Sequence, residues 1–207
     1  MNAFIFMLLA AFPSDDRNST PDVSDVRIIA NVTIDETSGY TLYGSGVIIT
    51  QDHVLTNYHV VQNIDEGKAR IVFHDWTNVT ATVVGIDPKN DIAILSMCNM
   101  PKTFPPRKLS TIPPIIGETL TFHGFDGGLF MIADGEVSYP KYLLDEGTAR
   151  RLKHHFMLKG NAARQGDSGG AVLRDDELVG IIWGTCQEED KAFGVTVTPI
   201  LELMKGK

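Results

Sequence analysis

Cysteine is scarce: two in 207 residues cannot build a disulfide scaffold. Basic residues do not dominate either, for the formal net charge is −8 and the pI is about 5.1. A nucleic-acid binder needs a cationic surface, so that class is excluded as a primary reading. No apolar run is long enough to cross a bilayer as a helix, which takes about 20 residues. The longest, Met1 to Phe12, stops at Pro13. Its length suits the core of a secretory signal or an anchor, yet no Lys or Arg precedes it and no small-x-small cleavage site follows. The alternative is a sticky N-terminal arm. Export to a secreted or periplasmic location is expected if this segment is a signal, and an intracellular location otherwise. Membrane association is expected only if it is an anchor.

What the chain does have is turns. Nineteen glycines and ten prolines punctuate runs rich in Val, Ile, Thr and aromatics. Such runs occupy Val26 to Ile34, Tyr40 to Thr50, Ala69 to His74, Val79 to Ile86 and Asp91 to Met97. Others are Thr119 to Phe122, Leu129 to Val137, Leu178 to Trp183 and Ala192 to Thr198. Many short strands at close spacing predict an all-β fold of barrel or sandwich type. Residues 1–25 form the apolar segment and a polar linker. The five prolines between Pro101 and Pro114 read as a connection between two lobes and not as a strand. Pro199 and the Ile-Leu-Glu-Leu-Met-Lys that follows predict a short C-terminal helix.

Chemistry concentrates in Gly166-Asp167-Ser168-Gly169-Gly170. A serine hydroxyl attacks carbonyl carbon only when it is exposed, near a base and beside donors for the oxyanion it creates. Flanking glycines permit the tight turn that supplies those donors. The same pentapeptide fits the nucleophile elbow of α/β-hydrolases, whose acid and histidine follow the serine. Here all six histidines precede Ser168, so that reading fails. The base must come from upstream. His59, in Val54-Leu55-Thr56-Asn57-Tyr58-His59-Val60-Val61, follows the strand Gly44-Ser45-Gly46-Val47-Ile48-Ile49-Thr50. Asp91 opens the apolar Ile92-Ala93-Ile94-Leu95 and is the matching carboxylate; Asp87-Pro88 reads better as a turn.

With those segments in this order, the chain resembles a chymotrypsin-fold (trypsin-like) serine protease, closest to the compact bacterial HtrA-type protease domain. The resemblance covers residues from Val26 to Lys205 and implies two six-stranded antiparallel β-barrels with the active site between them. The first barrel would span about 26–100 and the second about 115–198, within a protease domain over 26–207. It also implies a catalytic triad of His59, Asp91 and Ser168, with the backbone N–H groups of Gly166 and Ser168 as the oxyanion hole. Ala162 would floor the specificity pocket, and Ile182, Trp183, Gly184 and Gly194 would wall it. An uncharged floor and glycines that leave the slot open imply an apolar residue before the scissile bond. The function so implied is a serine endopeptidase acting on polypeptide through an acyl-enzyme, with no cofactor and no metal. A dedicated precursor-processing protease, or a non-catalytic binding module on the same fold, are the alternatives. The residues after Ser168 suffice to complete the second barrel, so no PDZ domain is expected.

Three departures from the family pattern stand out. Val60 occupies a position where secreted animal members carry a disulfide cysteine, and Cys98 and Cys186 fall in different lobes, so both thiols are expected to be free. Ile182 replaces a serine that would bond to Asp91. Asp167 stands where HtrA-type enzymes often have Asn. Arg27-Ile28-Ile29-Ala30 superficially matches a zymogen cleavage site, but too few residues separate Ile28 from Gly44, and Arg27 to Ile34 reads as the first strand. Finally, Arg150-Arg151-Leu152-Lys153-His154-His155 reads as an exposed strand edge or loop, with a role toward acidic partners as the alternative.

Overall fold

In a computed structural model of the chain, the structure describes residues 24–35, 38–98, 104–126, 129–139, 143–145, 150–152, 154–160, 163–186 and 190–205. Met1 to Phe12 and Ala162 lie outside the described residues.

The first sheet contains β1 (Asp25–Asp35), β2 (Ser38–Ile48), β3 (His53–Thr56), β4 (Lys68–Val72), β5 (Asn78–Asp87) and β6 (Ile92–Met97). It closes in the order β1-β2-β3-β6-β5-β4, with every pairing antiparallel. Alternation explains why: in β1, Val26, Ile28 and Ala30 point inward and are fully buried. With Ile48, Val54, Ile71 and Leu95 they fill the barrel. Burying each large aliphatic side chain contributes roughly 1.5–3 kcal/mol. A one-turn helix, α1 (Tyr58–Val61), leaves the end of β3.

A connection leads to β7 (Lys108–Leu109), which pairs in parallel with a later strand. The proline-rich segment therefore does contain a short strand. It escapes notice in the sequence because it is only two residues, set between Pro106 and Pro113, where the backbone has N–H groups to donate but no pattern can show. The second barrel is built from β8 (Thr119–Asp126), β9 (Leu129–Tyr139), β12 (His155–Lys159), β13 (Ala171–Arg174), β14 (Glu177–Cys186) and β15 (Lys191–Thr196). Between β9 and β12 lies a separate two-stranded sheet of β10 (Leu143–Asp145) and β11 (Arg150–Leu152). The barrel order is β13-β8-β9-β12-β15-β14, closed by pairing of β13 with β14, and β7 adds to the far side of β14. Phe122, Phe156, Leu158, Val172 and Ile182 are in its core.

A third apolar cluster lies between the barrels. Val47, Leu55, Ile92 and Ile94 of the first meet Leu173, Leu178, Ile181 and Val195 of the second. The C-terminal helix α2 (Val197–Lys205) seals this cluster with Val197 and Ile200. Two six-stranded barrels and a short terminal helix are thus the architecture that the resemblance implied. Among the described residues both cysteines are free, Cys98 exposed and Cys186 half-buried.

Candidate active site

His59 sits in α1, immediately after β3, and Asp91 lies just ahead of β6, the strand that pairs with β3. Pairing of Thr56 with Ala93 brings the two segments side by side. Asp91 is not the first residue of its strand. Its φ of 55° lies in the left-handed region, which costs a non-glycine residue roughly 1 kcal/mol or more unless the surroundings hold it. The surroundings do. Its carbonyl accepts from Tyr58 N–H at 3.2 Å and from Asn57 Nδ2 at 2.9 Å. Its carboxylate accepts from the His59 backbone N–H at 2.8 Å and meets His59 Nδ1 at 2.6 Å. An acceptor at Nδ1 fixes the proton there and leaves Nε2 with its lone pair free. The competing acid, Asp87, is occupied as a turn cap by the Lys89 and Asn90 N–H groups and by Asn90 Nδ2.

Ser168 lies in the turn between Ala163 and β13. Gly166 (φ 108°) and Gly169 (φ 87°) both adopt conformations that favour glycine, which is why the pentapeptide needs them. The turn is anchored on the first barrel. Ser45 N–H donates to the Ser168 carbonyl at 2.8 Å, and Ser45 Oγ donates to the Gly166 carbonyl at 2.7 Å. A Cβ on Gly44 would stand 2.7 Å from Val60 Cγ1 and 3.2 Å from the Ser168 carbonyl oxygen. The serine turn therefore packs beside the residue that follows His59. A Cβ on Gly169 would overlap the Ser45 carbonyl oxygen and Thr56 Oγ1.

Asp167 is fully buried. One carboxyl oxygen accepts from Arg164 N–H at 2.6 Å. The other finds no hydrogen-bond partner among the described residues, and its place beneath β8 is kept clear by Gly124. Burial pushes this carboxyl up to about 7, the Arg164 N–H opposes that, and nearby Asp126 adds to it. Ile28 lies within β1, opposite Gly44 of β2 and Ile71 of β4, as expected of a first strand.

The pocket residues separate into two groups. Trp183 and Gly184 are partly exposed, and a Cβ on Gly184 would meet only Phe193 Cδ2 at 3.9 Å. Ile182 and Gly194 face the second-barrel core instead. Gly194 has no side chain because the Phe156 ring fills that space, so it leaves no open slot. The reading of Arg150 to His155 as an exposed strand edge or loop is corrected at one residue: His155 is buried in β12 with its ring edge-on to Trp183 at 5.5 Å. Burial lowers its pKa to about 4, with Asp91 and Asp87 pulling the other way. Sequence reasoning missed it because HHFMLK has no strand alternation.

Two further features were not read from the sequence. Ser45 and Asn57, both fully or nearly fully buried, hold the serine turn and the Asp91 backbone. Their partners lie far along the chain; the only hint was a serine between two glycines. Asp25 of β1 meets His123 of β8 at 2.6 Å and Arg107 of the connection at 3.8 Å, a buried polar link between the barrels.

A sequence profile for the trypsin-like peptidase domain matches residues 44–181, which run from the glycine beside Val60 to the middle of β14. The chain belongs to the trypsin-like peptidase family. Among curated trypsin-like relatives, the periplasmic serine endoprotease DegP of Escherichia coli K12 is 34% identical over 143 residues, 67% of this chain and 29% of DegP. A probable periplasmic DegP-like serine endoprotease of Chlamydia trachomatis is 44% identical over 55 residues, 26% of this chain and 11% of that protein. The chain thus spans well under half the length of these curated relatives. A crystal structure of the Rv3671c protease from Mycobacterium tuberculosis, in its active form, superposes with a TM-score of 0.73. Its identity is 21%, over 96% of this chain and 93% of that one, which establishes a shared trypsin-like fold.

Proposed function

We propose that the chain is a serine endopeptidase that cleaves extended polypeptide through His59, Asp91 and Ser168. The observation that carries this reading is the His59–Asp91 pair, doubly bonded and held by a left-handed Asp91, on the same face that anchors the Ser168 turn. Asp91 fixes the imidazole tautomer, so Nε2 takes the Ser168 proton as Oγ attacks the peptide carbonyl. His59 then returns that proton to the leaving amine, and an acyl-enzyme remains on Ser168 for water to hydrolyse. These roles follow the general template for such triads. The N–H groups of Gly166 and Ser168 stabilise the oxyanion; each such donor is worth about 3–4 kcal/mol of barrier.

For the residue before the scissile bond we infer an apolar preference. The support is narrower than the sequence suggested: the open space is at Gly184, beside Trp183 stacked on Phe193 at 5.5 Å. Those aromatic faces favour an apolar side chain.

A fluorophosphonate probe tests the chemistry. The wild-type chain is expected to be labelled at Ser168, and Ser168→Ala is not. Equal labelling of the two, or none of the wild type across a pH series, overturns the reading. A peptide library tests the preference: cleavage confined to Arg or Lys positions defeats it.

A further inference from the structure

We propose that Ser45 is a positioning residue for the oxyanion hole, locking the serine turn to the first barrel; this rests on the endopeptidase reading above. Ser45 is 1% exposed, and all its polar groups are engaged. Its Oγ–H goes to the Gly166 carbonyl at 2.7 Å, while its Oγ accepts Phe125 N–H of β8 at 2.9 Å. Its N–H goes to the Ser168 carbonyl at 2.8 Å, and its carbonyl accepts Thr56 Oγ1–H at 2.8 Å. One side chain therefore ties together β2 of the first barrel, β8 of the second and the turn carrying the nucleophile.

The geometry gives this link a specific task. Gly166, at φ 108°, is a residue of the turn that lacks a side chain to restrict its rotation. Its N–H is the proposed oxyanion donor, and its carbonyl is what Ser45 grips. Holding the carbonyl fixes the plane of the Gly166–Asp167 peptide, which is one side of the pivot about which the Gly166 N–H, on the preceding peptide plane, is aimed. Holding the Ser168 carbonyl fixes the other donor residue. A hydroxyl suits the site because it gives one proton and accepts another at once, at the length of a single Cβ–Oγ bond. The glycines on either side let the strand approach: a Cβ on Gly44 or Gly46 would stand 2.7 Å from Val60 or Val54. Preorganised donors stabilise charge in the transition state more than in the ground state. Loss of Ser45 should therefore act on kcat.

The test compares wild type, Ser45→Ala and Ser45→Cys; the thiol is close in size and a weaker donor. Measurements are kcat and KM on a peptide substrate, affinity for a peptide aldehyde that mimics the tetrahedral state, and affinity for the cleaved product peptide. Ser45→Ala is expected to lower kcat on the order of 10²-fold with KM little changed. Aldehyde affinity should fall in parallel while product affinity stays, and Ser45→Cys should lie between. Four outcomes overturn the proposal: kcat of Ser45→Ala within threefold of wild type, equal loss of aldehyde and product affinity, a Ser45→Cys indistinguishable from wild type, or a Ser45→Ala without cooperative unfolding. An inactive wild type that no probe labels defeats the endopeptidase reading itself, which separates the two failures.

Discussion

The two barrels have the same strand number and closure, yet they treat ionisable groups near the site differently. In the first, His59 and Asp91 satisfy each other, and the Asp91 carbonyl is also held by Asn57 and Tyr58. In the second, Asp167 and His155 are each buried with one polar atom unpartnered among the described residues. The first arrangement fixes geometry through mutual bonds. The second ties folding to protonation, because a lone buried group is driven toward its neutral form. Near the site, protonation is therefore tied to folding at Asp167 and His155, while mutual bonds hold His59 and Asp91.

The largest break in this contrast should come from Asp91→Asn. The amide keeps the shape but favours the wrong imidazole tautomer, and kcat should fall about 10⁴-fold. Thermal unfolding should change little by comparison.

Asp167→Asn sharpens the other side. The folded chain holds a proton on Asp167 up to about pH 7, whereas the unfolded chain releases it near 3.8. The folded state thus binds more protons between those limits, so stability falls as pH rises from about 4 to about 7, then levels off. The Asn variant lacks that fall and should exceed the parent at pH 8 by roughly 2–4 kcal/mol, the gap closing toward pH 4. Denaturant titrations at several pH values would read it, and a constant gap would contradict the assignment.

Gly194→Ala asks whether that glycine serves packing or an open pocket. Its Cβ would meet the buried Phe156 ring, so a loss of roughly 1–3 kcal/mol is expected. Gly184→Ala, in open space, should leave stability unchanged and alter the substrate profile instead.

The smallest effect belongs to His155→Leu. His155 is held neutral to about pH 4, while the unfolded chain protonates near 6.5, so stability is lost as pH falls through that window. The leucine variant should lose roughly 1–2 kcal/mol less at pH 4.5 than the parent, measured by the same titrations.

The sequence made the alternating strands legible because one face of each is buried. β3, β12 and β13 were missed because each is only four or five residues long and buried on successive residues, so neither length nor alternation marks it; the equally buried β6 and β14 are longer. At the site, local motifs singled out His59, Asp91 and Ser168, the residues of the proposed triad. The left-handed turn of Asp91 and the grip of Ser45 on Gly166 were not. Both depend on partners distant in the chain, as with Ser45 and Gly166 at 121 residues apart, which spacing does not encode. Asp167 stood out as a departure from the family pattern, but its partner, the Arg164 backbone N–H, had no mark in the sequence.

The placement of α2 has a temporal consequence. Val197 and Ile200 cap the apolar layer that holds one barrel against the other, and both follow His59, Asp91 and Ser168 in chain order. On the ribosome, Ser168 emerges before the wedge that seats the halves is available. A nascent chain would hold the proposed triad unassembled until synthesis passes that helix.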